Sequence, residues 1–407
     1  MKVINVLLTF LGSLVKSIIG KNSKILRILK GLFYFRLPGN KYLIANYKEL
    51  KRTRSRFYLF QINHLIVAFD SGSLNDNRGI GRIAKNIFNE LSKKIYLSKA
   101  CNNVEFHIRQ LDDCDPDQID FYFFSSIHWV DSRYLSKSVI MIMDTIPLDL
   151  NLYFPKADVK QWRELFRDYA QRSIGIITIS EWSAGRISKH LDIALDKIKV
   201  IPPGVNHFIP HSIYPLLNLK TSPYVVFVGS DDFHKNIDII LEVFRSDELG
   251  NLKLVLVGDN KSAGERCKKF INKDNVIFLG KISDAEVAKV ISNAKALLCP
   301  SLLEGFGLPP LEAALHGVPS ICSNRPALNE VLKNAAIFVE PTNISSWRQQ
   351  IRRVISDSDL RETLVLEAQT VAKKFTWEIF LNNVLTHFHT LKMGANDVSY
   401  PSHHREQ

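Results

Sequence analysis

Hydrophobic and polar positions follow two patterns along most of this chain. Short apolar runs bounded by Gly, Pro or Asp are typical of buried strands, and apolar residues three or four positions apart are typical of helices. Strands are predicted at 64–70, 121–125, 139–143, 174–179, 199–201, 224–228, 252–257, 276–279, 296–299, 318–322 and 336–339. Helices are predicted at 83–91, 180–190, 237–245, 284–293 and 310–316, with more after about 357. The alternation of strands and helices indicates βαβ units on parallel sheets.

A Pro-containing stretch interrupts this alternation near residue 206, after which the pattern starts again. We therefore predict an α/β protein with two Rossmann-like domains that face a cleft, preceded by a basic helical arm. The predicted boundaries are 1–60 for the arm, 61–205 for the first domain, 206–222 for the linker, 223–370 for the second domain, 371–393 for a C-terminal helix that packs back, and 394–407 for a loose tail. Ligands of such sheets bind outside the carboxyl ends of the strands.

The basic charge is concentrated in the predicted arm. Residues 1–60 contain 13 Lys and Arg and one acid, whereas the rest has 40 residues of each sign, so the formal net charge of +12 lies in the arm. Its apolar residues recur at helical spacing, as Ile4, Leu7, Leu8 and Leu11 do. Basic amphipathic helices commonly lie in a membrane interface. The alternative is that the arm packs on the protein's own core.

Composition excludes several other classes of protein. With 46% hydrophobic residues over 407 positions, the chain is neither disordered nor collagen-like. Its 5 cysteines include no CxxC pair, which argues against a disulfide framework or zinc site and for reduced cytosolic thiols. The neutral body argues against a nucleic-acid enzyme.

Candidate chemistry lies in the second domain, directly after two predicted strands. After the strand at 296–299, a loop contains Glu304, Gly305 and Gly307, and a helix carrying Glu312 follows. Glycines let backbone N–H groups approach a phosphate, and a helix N-terminus favours an anion. The two carboxylates suit sugar or ribose hydroxyls, so the pattern indicates a nucleotide-sugar. Lys235, after the strand at 224–228, can pair with phosphate. An ordinary strand–loop–helix turn with a capping Glu312 is the alternative.

These segments resemble the retaining family-4 glycosyltransferases of the GT-B fold, which include bacterial enzymes of glycan and polysaccharide assembly. Residues 229–236 resemble the family's "VG…RKN" signature, and Glu304 to Glu312 has its E-x7-E spacing. Residues 77–82 look like its "RGIGRY" loop, and 177–181, 200–205, 317–319 and 336–341 also fit. The resemblance covers roughly residues 64–390.

The resemblance implies roles for particular residues. It implies that Glu304, Lys235 and Asp144 are catalytic. It implies that the donor is bound by Gly79, Gly81, His234, Lys235, Gly305, Phe306, Gly307 and Glu312. Among these, Lys235 would hold the diphosphate, Glu312 the ribose hydroxyls and Glu304 the donor sugar. Backbone around 305–307 would cradle the phosphates, and the loop at 79–81 would close over the donor.

Two positions depart from the family pattern. His234 stands where the family usually has Arg, and Met143 precedes Asp144 where the family usually has His. His128 follows the strand at 121–125 and could substitute for that histidine, or it could be an ordinary packed side chain. We expect no covalent nucleophile, no cofactor and no metal ion.

The predicted function is hexosyl transfer, with retention, from a nucleotide-sugar (GDP-mannose or a UDP-sugar) to a glycan or lipid-linked acceptor in polysaccharide biosynthesis. The expected partners are donor, acceptor and an anionic membrane surface bound through residues 1–60, with no nucleic acid. The expected location is the cytoplasm, peripheral on the inner face of the cell membrane. The alternatives are a non-catalytic membrane-associated protein of the same fold and a nucleotide-sugar 2-epimerase.

Overall fold

The structure is a computed structural model that describes residues 57–62, 65–76, 79–100, 109–110, 116–206, 222–259 and 275–397. Residues 1–56, which make up nearly all of the predicted arm, most of the predicted linker at 206–222, and 398–407 lie outside the described residues. The described chain contains two sheets, each with helices on it. These two α/β domains confirm the predicted fold class.

The first sheet has seven strands in the order β3-β1-β2-β4-β5-β6-β7. Its strands are β1 (Phe57–Ile62), β2 (Leu65–Asp70), β3 (Arg109–Gln110), β4 (Phe121–Phe124), β5 (Ser138–Met141), β6 (Gly175–Thr178) and β7 (Ile198–Val200). Strand β1 runs antiparallel to β2 and β3, and the other pairs are parallel. Residues 57–60 were predicted as arm, but the structure places them in β1, with Phe57 and Phe60 buried. The first sheet thus begins inside the range assigned to the arm.

The second sheet has six strands in the order β10-β9-β8-β11-β12-β13, and all of its pairs are parallel. Its strands are β8 (Tyr224–Val228), β9 (Lys253–Val257), β10 (Val276–Gly280), β11 (Leu297–Cys299), β12 (Ser320–Ser323) and β13 (Ile337–Val339). Because β8 and β11 are neighbours, the loops that follow them emerge side by side at one edge of the sheet.

Eleven helices occur in the described ranges: α1 (Gly79–Ala100), α2 (Ile146–Asp149), α3 (Lys156–Arg172), α4 (Glu181–Leu191), α5 (Ile237–Val243), α6 (Asp284–Ser292), α7 (Leu308–Leu315), α8 (Pro326–Leu332), α9 (Ile344–Ser356), α10 (Ser358–Ala372) and α11 (Trp377–Asp397). Helices α2, α3, α8 and α9 were not predicted from the sequence. None of the described helices is long and apolar enough to cross a bilayer.

Helix α11 follows the second domain in sequence but packs on the first sheet. The ring of Phe388 stacks on Phe121 at 5.3 Å between centroids and meets Phe123 edge-to-face at 5.4 Å. The helix begins at a cap, because the Thr376 hydroxyl accepts a hydrogen bond from the N–H of Ile379 (3.2 Å). It continues to Asp397, so residues 394–397 are helical and not the loose tail that was predicted.

Among the described residues, Pro147–Leu165 are assigned to a different compact unit from the rest. The unit contains a short turn at Asn151–Tyr153 and the first part of α3. Within it, the rings of Phe154 and Trp162 meet edge-to-face at 5.5 Å, and the Leu152 side chain is exposed.

Candidate donor site

Two loops of the second sheet bring a lysine and a glutamate into direct contact. Lys235 follows β8 and Glu304 follows β11, and the Lys235 Nζ lies 2.7 Å from the Glu304 Oε1. The Ser301 hydroxyl donates to the same carboxylate oxygen at 2.6 Å. The loops are also joined by their backbones, since the N–H of Leu302 donates to the carbonyl oxygen of His234 at 2.6 Å. The topology therefore places two of the predicted site residues together.

Burial and charge give these side chains definite protonation states. Burial by itself would raise the pKa of Glu304, but the neighbouring Lys235 ammonium and the hydrogen bonds from Lys235 and Ser301 outweigh it, and the pKa is lowered. Burial would likewise lower the pKa of Lys235, but the Glu304 carboxylate raises it. For His234, burial and the neighbouring Lys235 charge lower the pKa to about 4. Near neutral pH the cluster therefore contains an ammonium, a carboxylate and a neutral imidazole.

The glycine loop, residues 305–307, leads from Glu304 into α7. Gly307 occupies the helix N-cap with φ of 102°, which favours glycine, and a Cβ atom there would lie 2.6 Å from the Leu328 Cδ2. Prolines lie in the first turn of α7, and proline has no N–H. The backbone N–H groups that are free to bind a ligand at this helix end therefore come mainly from the glycine loop. The Phe306 side chain is buried against Phe375 at 5.2 Å, so only its backbone is available to a ligand.

The first domain contacts the glycine loop directly. A Cβ atom on Gly305 would lie 3.1 Å from the Met143 carbonyl oxygen and 3.2 Å from the Asp144 Cβ. Asp144 is held in the turn after β5, where its Oδ1 accepts the N–H of Ile146 at 3.1 Å. The Ser180 hydroxyl donates to the Gly305 carbonyl oxygen at 2.7 Å. The structure therefore places Asp144 beside the glycine loop.

A second contact between the domains lies at the start of α4. The Glu330 carboxylate, on α8 of the second domain, accepts the backbone N–H groups of Glu181 and Trp182, both at 2.8 Å. These N–H groups belong to the first turn of α4, where a helix leaves donors without internal partners and favours negative charge. Glu330 therefore caps a helix of the other domain.

Glu312 lies on α7 in a separate charged cluster. Its side chain is completely buried, and the Arg82 guanidinium of the first domain approaches its Oε1 at 3.6 Å. Arg82 also donates to the Asp284 Oδ1 at 2.9 Å. Burial raises the pKa of Glu312 to about 7, Arg82 opposes this rise, and Asp284 adds to it. The buried Glu312 carboxylate therefore depends on a cation supplied by the other domain.

The remaining predicted residues lie at the start of α1 and near β4. Gly79 is exposed, whereas Gly81 is buried and packs on Asp76 so closely that a Cβ atom would overlap the Asp76 carbonyl oxygen. The His128 ring packs edge-to-face on Phe166 at 5.5 Å, an environment that agrees with the packed-histidine alternative.

Within the residues that the structure describes, no group of three or more His, Cys, Asp or Glu side chains is arranged to hold a metal ion. The Glu304 carboxylate lies against Lys235, and the Glu312 carboxylate lies against Arg82.

The sequence analysis missed several residues of this region. Arg82 lies within the motif at 77–82 but was given no role, and Ser180, the first residue of the helix predicted at 180–190, was given none either. No role was given to Ser301, Ser183 or Glu330. Contacts between domains leave no periodic signal in a sequence, and only the motif around Arg82 could have directed attention to one of these residues.

Residues 215–371 match the model of the family described as glycosyl transferases group 1. O-antigen chain mannosyltransferase B of Escherichia coli is 25% identical over 240 residues, which span 56% of this chain and 63% of that protein. O-antigen chain mannosyltransferase RfbU of Salmonella typhimurium is 28% identical over 249 residues, which span 56% of this chain and 69% of that protein. The match thus covers roughly two thirds of each relative's length.

Solved structures show the same fold at low sequence identity. Sucrose-phosphate synthase from Thermosynechococcus elongatus has a TM-score of 0.59 at 18% identity, covering 68% of this chain and 74% of that one. HepE of Anabaena, in complex with UDP, has a TM-score of 0.55 at 16% identity, and the match covers 67% of this chain and 79% of HepE. Together with the two sheets, these comparisons show that the chain has the two-domain GT-B fold. Within it, residues 215–371 are similar to glycosyl transferases group 1.

Proposed function

We propose that this protein transfers a hexosyl unit from a nucleotide-sugar to a glycan or lipid-linked acceptor in polysaccharide biosynthesis, with retention of the anomeric configuration. The observation that carries the proposal is the 2.7 Å contact between Lys235 and Glu304 at the carboxyl ends of β8 and β11, directly before the glycine loop. A cation, backbone N–H groups and a carboxylate at one sheet edge match a ligand that contains both a diphosphate and a polyol.

The named relatives support a hexosyl donor. Two of them are called O-antigen chain mannosyltransferases, and a third, from Escherichia coli, is called a serotype-specific mannosyltransferase. GDP-mannose is therefore the first donor to test. HepE of Anabaena was solved with UDP-glucose, so UDP-sugars belong in the same panel.

The chemistry requires stabilisation of a leaving nucleoside diphosphate as its negative charge grows. Lys235, with a raised pKa, remains an ammonium, and the glycine-loop amides at the start of α7 add positive potential. Preorganised donors of this kind lower the barrier without a cost of reorganisation. We propose that these groups suffice without a metal ion or cofactor. Glu304 and Asp144 would face the donor sugar, on the two sides of Gly305.

The proposed location is the inner face of the cell membrane, to which residues 1–60 would bind. The support is the charge distribution alone, since all of the formal net charge of +12 lies in that segment. Each Lys or Arg near an anionic surface contributes about 1 kcal/mol.

Donor binding and transfer provide the first test. Thermal unfolding is measured with GDP-mannose, UDP-glucose and UDP-N-acetylglucosamine, because a bound ligand at roughly 100 times its Kd adds about 2.7 kcal/mol of stability. The best donor is then used to measure binding by Lys235→Ala. The matched control is Lys253→Ala, a partly buried lysine at the amino end of β9, the opposite edge of the same sheet.

The proposal predicts stabilisation by one donor, and a loss of about tenfold or more in nucleotide affinity for Lys235→Ala but not for Lys253→Ala. Donor binding without turnover on any acceptor would favour the non-catalytic alternative. Conversion of UDP-N-acetylglucosamine to its 2-epimer without an acceptor would favour the epimerase. Equal nucleotide affinity in the wild type, Lys235→Ala and Lys253→Ala would show that Lys235 does not bind the diphosphate.

Vesicle sedimentation tests the membrane part separately. The full chain should sediment with anionic vesicles at low salt and less at high salt, whereas the chain without residues 1–36 should remain folded, active on a detached acceptor and in the supernatant. A truncated chain that misfolds, or a full chain that ignores anionic vesicles, would show that the arm is structural.

A further inference from the structure

Arg82 joins the first domain to two carboxylates of the second. Its guanidinium donates to the Asp284 Oδ1 at 2.9 Å and lies 3.6 Å from the Glu312 Oε1. The Arg82 side chain is partly exposed, whereas Glu312 is fully buried. Asp284 lies in the first turn of α6, so it is fixed to the second domain independently of α7.

The position of Arg82 is set by the start of α1. Gly81 packs against the Asp76 backbone, and Ile83 and Ala84 are buried in the core, so the first turn of α1 is held on both sides of Arg82. Arg82 itself is less buried than these neighbours and reaches the second domain. Its placement therefore depends on the backbone of the first domain and on the anchor provided by Asp284.

The charges that act on Glu312 come from Arg82 on α1 and Asp284 on α6. Helix α10 packs on α7 and contributes the apolar Ala368 and Ala372 to the shared core. Strand β12 contributes Cys322, whose thiol stays neutral because burial raises its pKa well above the usual value. Arg82 is thus the cation that counters both the burial of Glu312 and the repulsion from Asp284.

We propose that Arg82 is a positioning residue of the donor site, which orients the buried Glu312 carboxylate and supplies its countercharge so that it can accept hydrogen bonds from the two adjacent ribose hydroxyls of a nucleoside diphosphate. The proposal rests on the proposed function, in which Glu312 binds ribose. Because Arg82 belongs to the first domain, recognition of the nucleoside requires that domain, although Glu312 belongs to the second. A donor is then bound tightly only when the two domains are together.

The test measures ribose selectivity in the full-length protein. Isothermal titration gives the affinity of UDP or GDP, whichever the wild type binds better, of its 2′-deoxy analogue, and of inorganic pyrophosphate. The variants are Arg82→Ala and Arg82→Lys, with Arg82→Gln as a milder replacement should Arg82→Ala fail to fold. The control is Glu330→Gln, which weakens a different contact between the domains at the start of α4.

For Arg82→Ala we expect a loss of about tenfold in ribonucleotide affinity near neutral pH, and less than about threefold for the 2′-deoxy analogue and pyrophosphate. Without the guanidinium, the pKa of Glu312 rises further, so the affinity of the variant for the ribonucleotide should recover as the pH is raised above neutral and the carboxylate forms again. Arg82→Lys should restore most of the affinity. Glu330→Gln should change the affinities for all three ligands by the same factor.

Three results would overturn the inference. Unchanged or tighter ribonucleotide binding by Arg82→Ala would mean that Arg82 does not support Glu312. An equal loss for all three ligands, without recovery at high pH, would mean that Arg82 only holds the domains together. A wild-type protein that binds no nucleoside diphosphate would instead refute the proposed function, and this outcome is distinguishable because it precedes any variant.

Discussion

The Ser180 hydroxyl donates a hydrogen bond of 2.7 Å to the carbonyl oxygen of Gly305, and this bond ties the first domain to the glycine loop of the second. Both residues are buried, and the Ser183 hydroxyl donates to the same carbonyl oxygen at 3.2 Å. Ser180 also caps α4, since its Oγ accepts the N–H of Ser183 at 3.0 Å. The Ser180 side chain therefore caps a helix of the first domain and also donates a hydrogen bond to the glycine loop of the second domain.

Ser180→Ala should lower both stability and donor affinity. Loss of the cap costs about 1 kcal/mol of the free energy of unfolding. The Gly305 carbonyl then keeps only the longer hydrogen bond from Ser183, at 3.2 Å, so the glycine loop can shift. The control is Asn343→Ala, which removes the N-cap of α9 and makes no contact of this kind with the first domain. Denaturant unfolding should show similar losses in both variants, with weaker nucleotide binding only in Ser180→Ala. Weakened binding in both would assign the effect to general destabilisation.

Glu304→Gln should reduce transfer more than it reduces nucleotide affinity. The amide keeps the shape but removes the charge, and Lys235 loses its 2.7 Å carboxylate partner while remaining available to the diphosphate. We expect transfer to fall by about tenfold or more and nucleoside diphosphate affinity to change by less than about threefold. Glu248→Gln, which removes a carboxylate paired with Arg348 and Arg352, is the control. Transfer within a factor of about two of wild type, with weakened binding, would show that the role is wrong.

Gly81→Ala should destabilise the protein, and Gly79→Ala should not. A Cβ atom at 81 overlaps the Asp76 carbonyl oxygen, so the first turn of α1 must move, whereas the space around Gly79 is open. Overpacking of this kind costs about 1–3 kcal/mol, while alanine in an open helical position is neutral or stabilising by up to about 1 kcal/mol. Thermal unfolding of the two variants gives the comparison, and equal melting temperatures would contradict the steric argument.

Asp70 should make the protein less stable as the pH rises from about 4 to 7. It is buried at the end of β2, where burial raises its pKa to about 7, against the hydrogen bonds from Gly72 and Ser73. The native state therefore holds a proton that the unfolded chain releases near pH 4, and the stability from this proton is full below pH 4 and lost by pH 7. A difference of about three pKa units corresponds to roughly 4 kcal/mol.

Asp70→Asn provides the measurement, because asparagine cannot titrate. The difference in free energy of unfolding between wild type and variant should change with pH over this window, in the direction that favours the wild type at acidic pH. Buried Glu312, with its pKa also raised, contributes a trend of the same sign to both proteins and cancels in the difference. A difference that stays constant with pH would show that Asp70 is ionised in the native state.

The alternating strands of both domains could be predicted from the sequence because each buried parallel strand is a short apolar run. Strand β1 was missed because it directly follows the basic segment that ends at Arg56, and its composition was read as part of the arm. Helix α9 had a readable signal, since its buried Trp347, Ile351 and Val354 recur at helical spacing.

The candidate site was predictable only in part. The sequence pattern predicts that Lys235 and Glu304 each follow a parallel strand. Because the carboxyl ends of parallel strands lie at one edge of the sheet, it also predicts that the two residues lie at the same edge. The ion pair between them, and the contact of Arg82 with Glu312, were not accessible. Both depend on which side chains face each other across loops and domains, and neither spacing nor composition encodes that.

The docking of α11 on the first sheet has a consequence for the order in which the protein is completed. A ribosome finishes the strands with Phe121 and Phe123 long before it makes Phe388, which covers them. At about 5–20 residues per second, the interval is on the order of tens of seconds. During that interval the aromatic surface that α11 covers in the finished protein lacks this cover, and apolar surface exposed in this way favours aggregation. The first domain is thus synthesised first, but its packing is completed only when α11 has been made.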